Sequence, residues 1–192
     1  RYNGGGSVSV AQYLAGWMIG KDHGNETFVN FKHNRKLTSW DTTLNVPQRA
    51  EALSLNRVFF IGTSSTASAS ELVINGVKPY VPSVILAGST THGKPVGMYA
   101  FPFIDYDYVV LPITFKYTNA DGAGDFYDGI APELPADDDL TRDFGDPEES
   151  SLKAILDYIG NESVPLKSTR PVLSGNKPLY RDQGIRQYLR AY

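Results

Sequence analysis

Residues 57–97, RVFFIGTSSTASASELVINGVKPYVPSVILAGSTTHGKPVG, decide the fold of this chain. Four apolar residues at 58–61 predict a short buried strand, which the small residues after it cannot continue. Ser68 and Glu71 form the Ser-x-x-Glu pattern of a capping box, so a helix is expected to begin at Ser68. A second apolar strand is expected at 84–87. The stretch therefore predicts a strand–helix–strand unit in an α/β fold.

Two side chains of this unit, those of Ser68 and Lys94, can take part in catalysis. A serine at a strand-to-helix turn exposes its hydroxyl, and the N–H groups at the helix start can stabilise a nearby oxyanion. Lys94 follows the second strand, between Gly93 and Pro95. Burial in an apolar loop lowers the pKa of a lysine, so Lys94 can accept the proton of the Ser68 hydroxyl. An isolated Ser-x-x-Glu pattern indicates only a helix cap, and the order of the elements is what favours a reactive serine.

Three motifs lie in order along the chain: RYNGGG at 1–6, STASASE at 65–71 and THGKPVG at 91–97. With these motifs the chain resembles the carboxyl-terminal processing, or tail-specific, serine proteases. Its sequence is most similar to that of members from Bacteroidetes-type bacteria. In that family the serine between the two alanines is the nucleophile, and the lysine of the Gly-Lys motif is its base. The resemblance therefore implies a catalytic dyad of Ser68 and Lys94.

The resemblance covers residues 1–160 and carries expectations about fold and chemistry. It implies a crotonase-like, or ClpP-like, α/β core with added antiparallel β-hairpins and a C-terminal tail. It also implies a serine endopeptidase that cleaves polypeptides in unfolded or C-terminal segments through an acyl-enzyme, with no metal and no cofactor. The N–H groups of Ala69 and Gly5 would form the oxyanion hole.

Two positions depart from the family pattern. Met98 stands where members often carry a glutamine that orients the lysine, and Pro79 stands where many carry an acidic residue. No third catalytic residue is therefore assigned. These departures favour an alternative, a non-catalytic protein that binds peptides or another ligand on the same fold, whereas the intact Ser68 and Lys94 oppose it.

The glycines at 4–6 precede a predicted helix, which Ser7 can cap and Gly20 can end. Its apolar positions repeat at helical spacing: Val10, Leu14, Trp17 and Met18. Two interpretations of the glycines stay open, a close backbone approach to an oxyanion and a tight turn that needs positive φ. A phosphate-binding loop is a weaker third, and no Gly-Lys-Ser/Thr follows, which excludes a Walker-type loop.

Other segments carry weaker signals. Residues 27–32 alternate as an exposed strand or hairpin arm, and His33 at their end is expected to be a solvated surface residue. His92, two residues before Lys94, is interpreted as a packing or pocket residue. A helix from 146 to 160 is expected to pack on the core with one apolar face.

Charge is unevenly distributed towards the end of the chain. The segment 121–149 contains eleven Asp or Glu against one Arg142, and a solvated acidic loop is expected there, because Asp137 to Asp139 lack the ligand spacing of a calcium loop. Residues 161–192 carry six Lys or Arg against two acids. We expect this basic tail to dock within the chain or to pair subunits of a homo-oligomer, with membrane-surface contact as a weaker option.

Composition excludes several classes of protein. A chain of 192 residues, 41% of them hydrophobic, can bury one good core and suggests one domain or little more. A net charge of -3 argues against a general nucleic-acid binder. The absence of cysteine excludes disulfides and a cysteine nucleophile. No apolar run approaches the ~18 residues that a membrane span needs.

The chain opens on RYNGGG, without a methionine or a signal peptide. We therefore interpret residues 1–160 as the C-terminal part of a protease catalytic domain and 161–192 as its basic tail. The family resemblance implies an upstream PDZ-like domain and an export signal. It also implies a place in the bacterial cell envelope, periplasmic or lipid-anchored.

Overall fold

The computed structural model describes residues 1–103 and 107–161. Nearly all of the predicted basic tail, from 162 onward, lies outside the described residues, so its docking stays a prediction. The helices of the described part are α1 Val8–Ile19, α2 Ala69–Val77 and α3 Ser150–Gly160, with 3-10 turns at Lys21–His23 and Thr38–Trp40. Its strands are β1 Thr27–His33, β2 Thr42–Asn45, β3 Arg57–Gly62, β4 Ser83–Gly88, β5 Val96–Met98, β6 Phe101–Phe103, β7 Tyr108–Val110, β8 Ile113–Asn119 and β9 Leu134–Pro135.

The predicted strand–helix–strand unit is confirmed. β3 and β4 pair in parallel, from Arg57 opposite Ser83 to Gly62 opposite Gly88, and α2 makes the crossover between them. β9 pairs with the other edge of β4, which gives a three-stranded sheet in the order β3-β4-β9. Because parallel strands end at the same edge of a sheet, the turn after β3 and the loop after β4 emerge side by side.

The second sheet is antiparallel, with strand order β2-β1-β8-β5. β1 lies inside this sheet, and its residues Phe28 and Val29 are fully buried. The strand is one arm of an antiparallel pair with β2, as the hairpin alternative predicted. The exposed strand is found only in part: Lys32 is exposed, whereas Phe28, Val29 and Phe31 are buried, and α2 packs against the strand.

A glycine within α2 allows the helix to approach β1 closely. A Cβ on Gly76 would lie 2.3 Å from the ring of Phe28, so a larger side chain would push the helix off the sheet. α2 is buried along nearly its whole length. It lies in the main core with these buried residues among others: Ala15, Ile19, Val46, Val58, Val81, Phe115 and Tyr117.

α1 has the predicted bounds, with Ser7 as N-cap and Gly20 as C-cap, but of the predicted apolar positions only Met18 packs against the core. Val10, Leu14 and Trp17 are 66%, 47% and 37% exposed. The inward face consists instead of small residues and one isoleucine: Ala11, Ala15, Gly16 and Ile19. The small residues let α1 pack closely on α2 and on the chain near residue 47, against which Gly16 lies.

α3 follows the acidic segment and ends at Gly160, as the sequence indicated. Its N-cap is Glu149, whose carboxylate accepts the N–H groups of Ser151 and Leu152. Only part of the predicted apolar face is covered: Ile155 is buried, whereas Leu156 and Ile159 are exposed.

These elements give a mixed α/β fold, and the α/β prediction is confirmed at that level. Among the described residues, no helix has the length and apolar character to cross a membrane.

Candidate active site

Ser68 lies at the sharp turn that joins β3 to α2. Its backbone has φ 55° and ψ -118°, a region that residues other than glycine rarely adopt. Such a conformation costs about 1–3 kcal/mol and persists only where the surroundings enforce it. The side chain is half-buried and lies at the start of the helix, on a strained strand-to-helix turn.

The glycine loop lies directly against this turn. The carbonyl oxygen of Asn3 accepts the N–H of Ala67 at 3.2 Å. Gly5 has φ +96°, and a Cβ placed on it would lie 2.7 Å from the Ala69 nitrogen and 2.9 Å from the Ser68 Cβ. Gly5 therefore needs positive φ, as the tight-turn interpretation requires, and it packs closely on Ser68 and Ala69, while the approach to an oxyanion stays a prediction.

The N–H of Gly5 donates to Oδ1 of Asn3 at 2.9 Å. An oxyanion beside Ala69 would have to replace this side-chain acceptor to receive the Gly5 N–H. The structure therefore brings Gly5 and Ala69 together, as expected, but with the Gly5 N–H directed to the loop's own Asn3.

The loop after β4 carries Lys94 and is tied to the serine turn. The backbone N–H of His92 donates to the Thr66 carbonyl at 2.8 Å. Gly93 has φ +83° and packs so closely on the carbonyl of Tyr127 that a Cβ would lie 2.3 Å from its oxygen. Lys94 and His92 are both half-buried.

Glu71 joins the two loops. Its carboxylate is fully buried and accepts four hydrogen bonds. One oxygen, Oε2, accepts the backbone N–H of Ser68 at 2.9 Å and that of Lys94 at 2.8 Å. The other, Oε1, accepts the Thr91 hydroxyl at 2.5 Å and the Gly93 N–H at 2.7 Å. A single carboxylate thus sets the distance between the serine turn and the lysine loop.

Tyr117, on β8, makes a second bridge. Its hydroxyl lies 3.1 Å from the carbonyl oxygen of Ser68 and 3.4 Å from that of Lys94. Burial, and secondly the negative charge of Glu71, raise the pKa of Tyr117 far above its usual value. The hydroxyl therefore stays protonated and acts as a donor to these carbonyls.

The FYDGIAP segment at 126–132 supports the lysine loop from outside. The Thr91 hydroxyl accepts the N–H of Ile130 at 2.8 Å, and the Thr91 N–H donates to the Ile130 carbonyl at 3.1 Å. Gly129, with φ +92°, packs against the Thr91 carbonyl, and a Cβ there would lie 2.2 Å from that oxygen. Thr91 therefore links this segment to Glu71.

His33 is not a surface residue, and that prediction is wrong. Its side chain is fully buried, and Asp41 Oδ1 accepts its backbone N–H at 2.7 Å and lies 3.2 Å from its Nδ1. The Tyr99 hydroxyl lies 3.2 Å from Nε2, and the two rings are stacked. Neighbouring strand residues point to opposite faces, so the exposed Lys32 was no guide to His33.

Sequence reasoning missed three roles at this site. Glu71 was identified only as half of a helix cap, although its position three residues after Ser68 places it at the helix start. Tyr117 looked like an ordinary strand residue. The acidic segment holds Glu149, whose carboxylate accepts hydrogen bonds from the Arg1 guanidinium.

No protein-family model and no curated protein matches this sequence. Solved structures do match. A Bacteroides fragilis protein assigned to the S41 proteases is 25% identical over 85% of this chain, with a TM-score of 0.77. The photosystem II D1 C-terminal processing protease is 21% identical over 71% of the chain (TM-score 0.54), and a lipoprotein from Streptococcus agalactiae is 16% identical over 84% (TM-score 0.59).

The fold is thus that of a mixed α/β domain similar to S41 peptidases. The Bacteroides fragilis neighbour supports the resemblance to C-terminal processing proteases that the three sequence motifs indicate. The chain spans 44%, 33% and 52% of the three matched proteins.

Proposed function

We propose that this chain belongs to a serine endopeptidase that cleaves peptide bonds in unfolded or C-terminal segments of polypeptides through a Ser68–Lys94 dyad. The observation that carries the proposal is the shared oxygen of Glu71, which accepts the backbone N–H of both residues. A helix cap requires only the hydrogen bond to Ser68. The additional bond to Lys94, 26 positions later, holds the two proposed catalytic residues together. The neighbouring S41 proteases support the same class of reaction.

In the proposed reaction the Ser68 hydroxyl attacks the carbonyl carbon of the scissile bond. Lys94, in its neutral form, accepts the serine proton as the new C–O bond forms. It then returns that proton to the leaving amine as the C–N bond breaks, which leaves an acyl-enzyme on Ser68. A water molecule attacks the ester in the same way, with Lys94 again as base, and releases the acid product.

The tetrahedral intermediate carries a negative charge on the former carbonyl oxygen. The N–H of Ala69, the first residue of α2, is one proposed donor to this oxyanion, and the Gly5 N–H is the other. The close packing of Gly5 on Ser68 and Ala69 supports this assignment. As the oxyanion forms, the Gly5 N–H would exchange Asn3 Oδ1 for the substrate oxygen.

β5 is suited to hold the substrate backbone. It begins two residues after Lys94 and forms an edge of the four-stranded sheet within the described residues. An extended peptide can add to such an edge through main-chain hydrogen bonds, which makes recognition largely independent of side chains. This mode suits an enzyme that acts on unfolded segments.

The organisation of the whole protein is part of the proposal. Residues 1–160 would be the C-terminal part of a catalytic domain with a crotonase-like core, and 161–192 its basic tail. An upstream PDZ-like domain, a homo-oligomer, and a location in the bacterial cell envelope follow from the family resemblance. The similarity to a streptococcal lipoprotein agrees with the proposed location.

The test uses the full chain with an unstructured protein as substrate and mass spectrometry of the fragments. Ser68→Ala should abolish cleavage, and Lys94→Arg should reduce it by at least about 10²-fold, because arginine keeps the charge but cannot give up its proton. Ser65→Ala and Lys78→Arg are matched controls at exposed positions and should cleave like the parent. Cleavage that survives in Ser68→Ala would refute the proposal.

A further inference from the structure

Arg1 and Glu149 form a buried ion pair across 148 positions of sequence. Arg1 Nη1 donates to Oε1 at 2.8 Å and Nη2 donates to Oε2 at 2.5 Å, the two-pronged geometry of the strongest arginine–carboxylate pairs. The side chains are 9% and 1% exposed. Such a pair holds its two partners in a defined orientation, which an exposed ion pair does not.

Glu149 is itself fixed. Its carboxylate caps α3 by accepting the N–H groups of Ser151 and Leu152 at 3.2 and 3.0 Å. α3 packs on the parallel sheet, where Tyr158 meets Phe59 of β3 edge to face. The Arg1 guanidinium is therefore attached to the rigid body that also carries the serine turn.

Only three residues separate Arg1 from Gly5. Between them, Asn3 accepts two hydrogen bonds: its carbonyl oxygen accepts the N–H of Ala67 in the serine turn, and its side-chain Oδ1 accepts the Gly5 N–H. Tyr2 adds a more exposed tie through its hydroxyl, which lies 2.5 Å from Asp138. A displacement of Arg1 would therefore also displace Gly5, because the segment between them is short and restrained by these hydrogen bonds.

We propose that Arg1 and Glu149 are positioning residues that aim the Gly5 N–H beside Ala69, so that the start of α3 sets the geometry of the oxyanion hole. The inference rests on the proposed function for its catalytic consequence. Neither residue touches the substrate. Their effect is expected on the step in which charge develops on the carbonyl oxygen, because only that step depends on where Gly5 points.

The decisive variants are Glu149→Gln and Arg1→Gln in the full chain. Glu148→Gln is the matched control, because Glu148 is the adjacent residue and makes an exposed pair with Lys153. Glu149→Gln weakens both the Arg1 pair and the helix cap, whereas Arg1→Gln leaves the cap in place. An effect common to both variants, and absent from Glu148→Gln, belongs to the ion pair.

Two measurements separate positioning from stability. The first is kcat and KM below the unfolding temperature, where we expect kcat to fall by about tenfold or more with KM little changed, since small misplacements of catalytic groups have effects of this order. The second is binding of a peptide aldehyde, which forms the tetrahedral adduct with Ser68, against the same peptide as an amide. Both variants should lose affinity for the aldehyde and keep it for the amide. Equal losses for the two ligands, or unchanged kcat, would overturn the proposal.

A third measurement does not need activity. Hydrogen–deuterium exchange of the segment 2–7 should be faster in both variants than in Glu148→Gln and the parent chain. Unchanged exchange would refute the anchoring of the glycine loop even if the protein is a protease. Faster exchange in a chain whose cleavage does not depend on Ser68 would instead refute the proposed function, and with it the catalytic role of the ion pair.

Discussion

The Glu71 carboxylate accepts the backbone N–H of Lys94 at 2.8 Å, across 23 positions of sequence. The same oxygen accepts the N–H of Ser68. One carboxylate therefore caps α2 and also acts as a brace, holding the lysine loop against the serine turn. An ordinary cap contributes about 1 kcal/mol. A buried carboxylate with four hydrogen bonds leaves several backbone donors without partners when it is replaced, and its removal is expected to cost more.

The first prediction concerns this carboxylate. Glu71→Gln should lower the free energy of unfolding by about 2–4 kcal/mol, because the amide NH₂ would face donors rather than accept from them. Cleavage should fall even at temperatures where the variant is folded, since the Lys94 loop loses its tie to the serine turn. Urea denaturation and an endopeptidase assay measure the two effects. The exposed Glu51→Gln is the control, and equal behaviour of the two variants would show that Glu71 is not a brace.

The second prediction concerns the hydroxyl of Tyr117. Tyr117→Phe keeps the ring in the core and removes only the donor to the Ser68 and Lys94 carbonyls. The expected loss of stability is about 0.5–1.5 kcal/mol, with a measurable fall in kcat. The exposed Tyr13→Phe should change neither quantity. A Tyr117→Phe enzyme with the parent kcat would remove this hydroxyl from the positioning network.

The third prediction concerns acid stability. The hydrogen-bonded Arg1 guanidinium lowers the pKa of Glu149 from 4.5 to about 2. A carboxyl group whose folded pKa is depressed contributes stability above its unfolded pKa and loses that contribution as the pH falls through the folded value. The free energy of unfolding should therefore decline between about pH 4.5 and 2 by more in the parent chain than in Glu149→Gln. Denaturation curves across this window test the difference, and parallel pH profiles would contradict it.

Local patterns predicted the strand–helix–strand unit well because each signal was strong and independent. Four apolar residues indicated β3, and the Ser68–Glu71 pattern indicated the start of α2. Burial was predicted less well, since it depends on which elements meet. The His33 side chain, for example, is fully buried although charged and polar residues surround it in the sequence.

In α1 the burial was also predicted wrongly, because apolar residues expected to pack inward are exposed. Its large apolar residues, such as Val10 and Leu14, are exposed, and its alanines face α2. Apolar spacing identifies a helix but not the face that meets a closely packed neighbour, where small side chains fit better. The roles of Glu71 and Tyr117 could not be predicted from the sequence either, because both depend on contacts between segments more than 20 positions apart.

The last prediction concerns Gly5. Gly5→Ala should reduce cleavage by about 10²-fold or more, the usual effect of losing one oxyanion donor, because the added Cβ would lie 2.7 Å from the Ala69 nitrogen and 2.8 Å from the Ala67 oxygen. The loop must then move away from Ser68. Substrate affinity should change much less than kcat, since the peptide is held mainly elsewhere.

Gly122→Ala separates this clash from backbone strain. Gly122 has a similar positive φ, +82° against +96° at Gly5, but a Cβ there would have no neighbour within 4 Å. Both substitutions therefore carry the cost of a left-handed alanine, and only Gly5→Ala displaces the glycine loop. If Gly122→Ala keeps the parent kcat while Gly5→Ala loses it at equal stability, the loss is due to the position of the loop. Equal activity in the two variants would exclude Gly5 from the oxyanion hole.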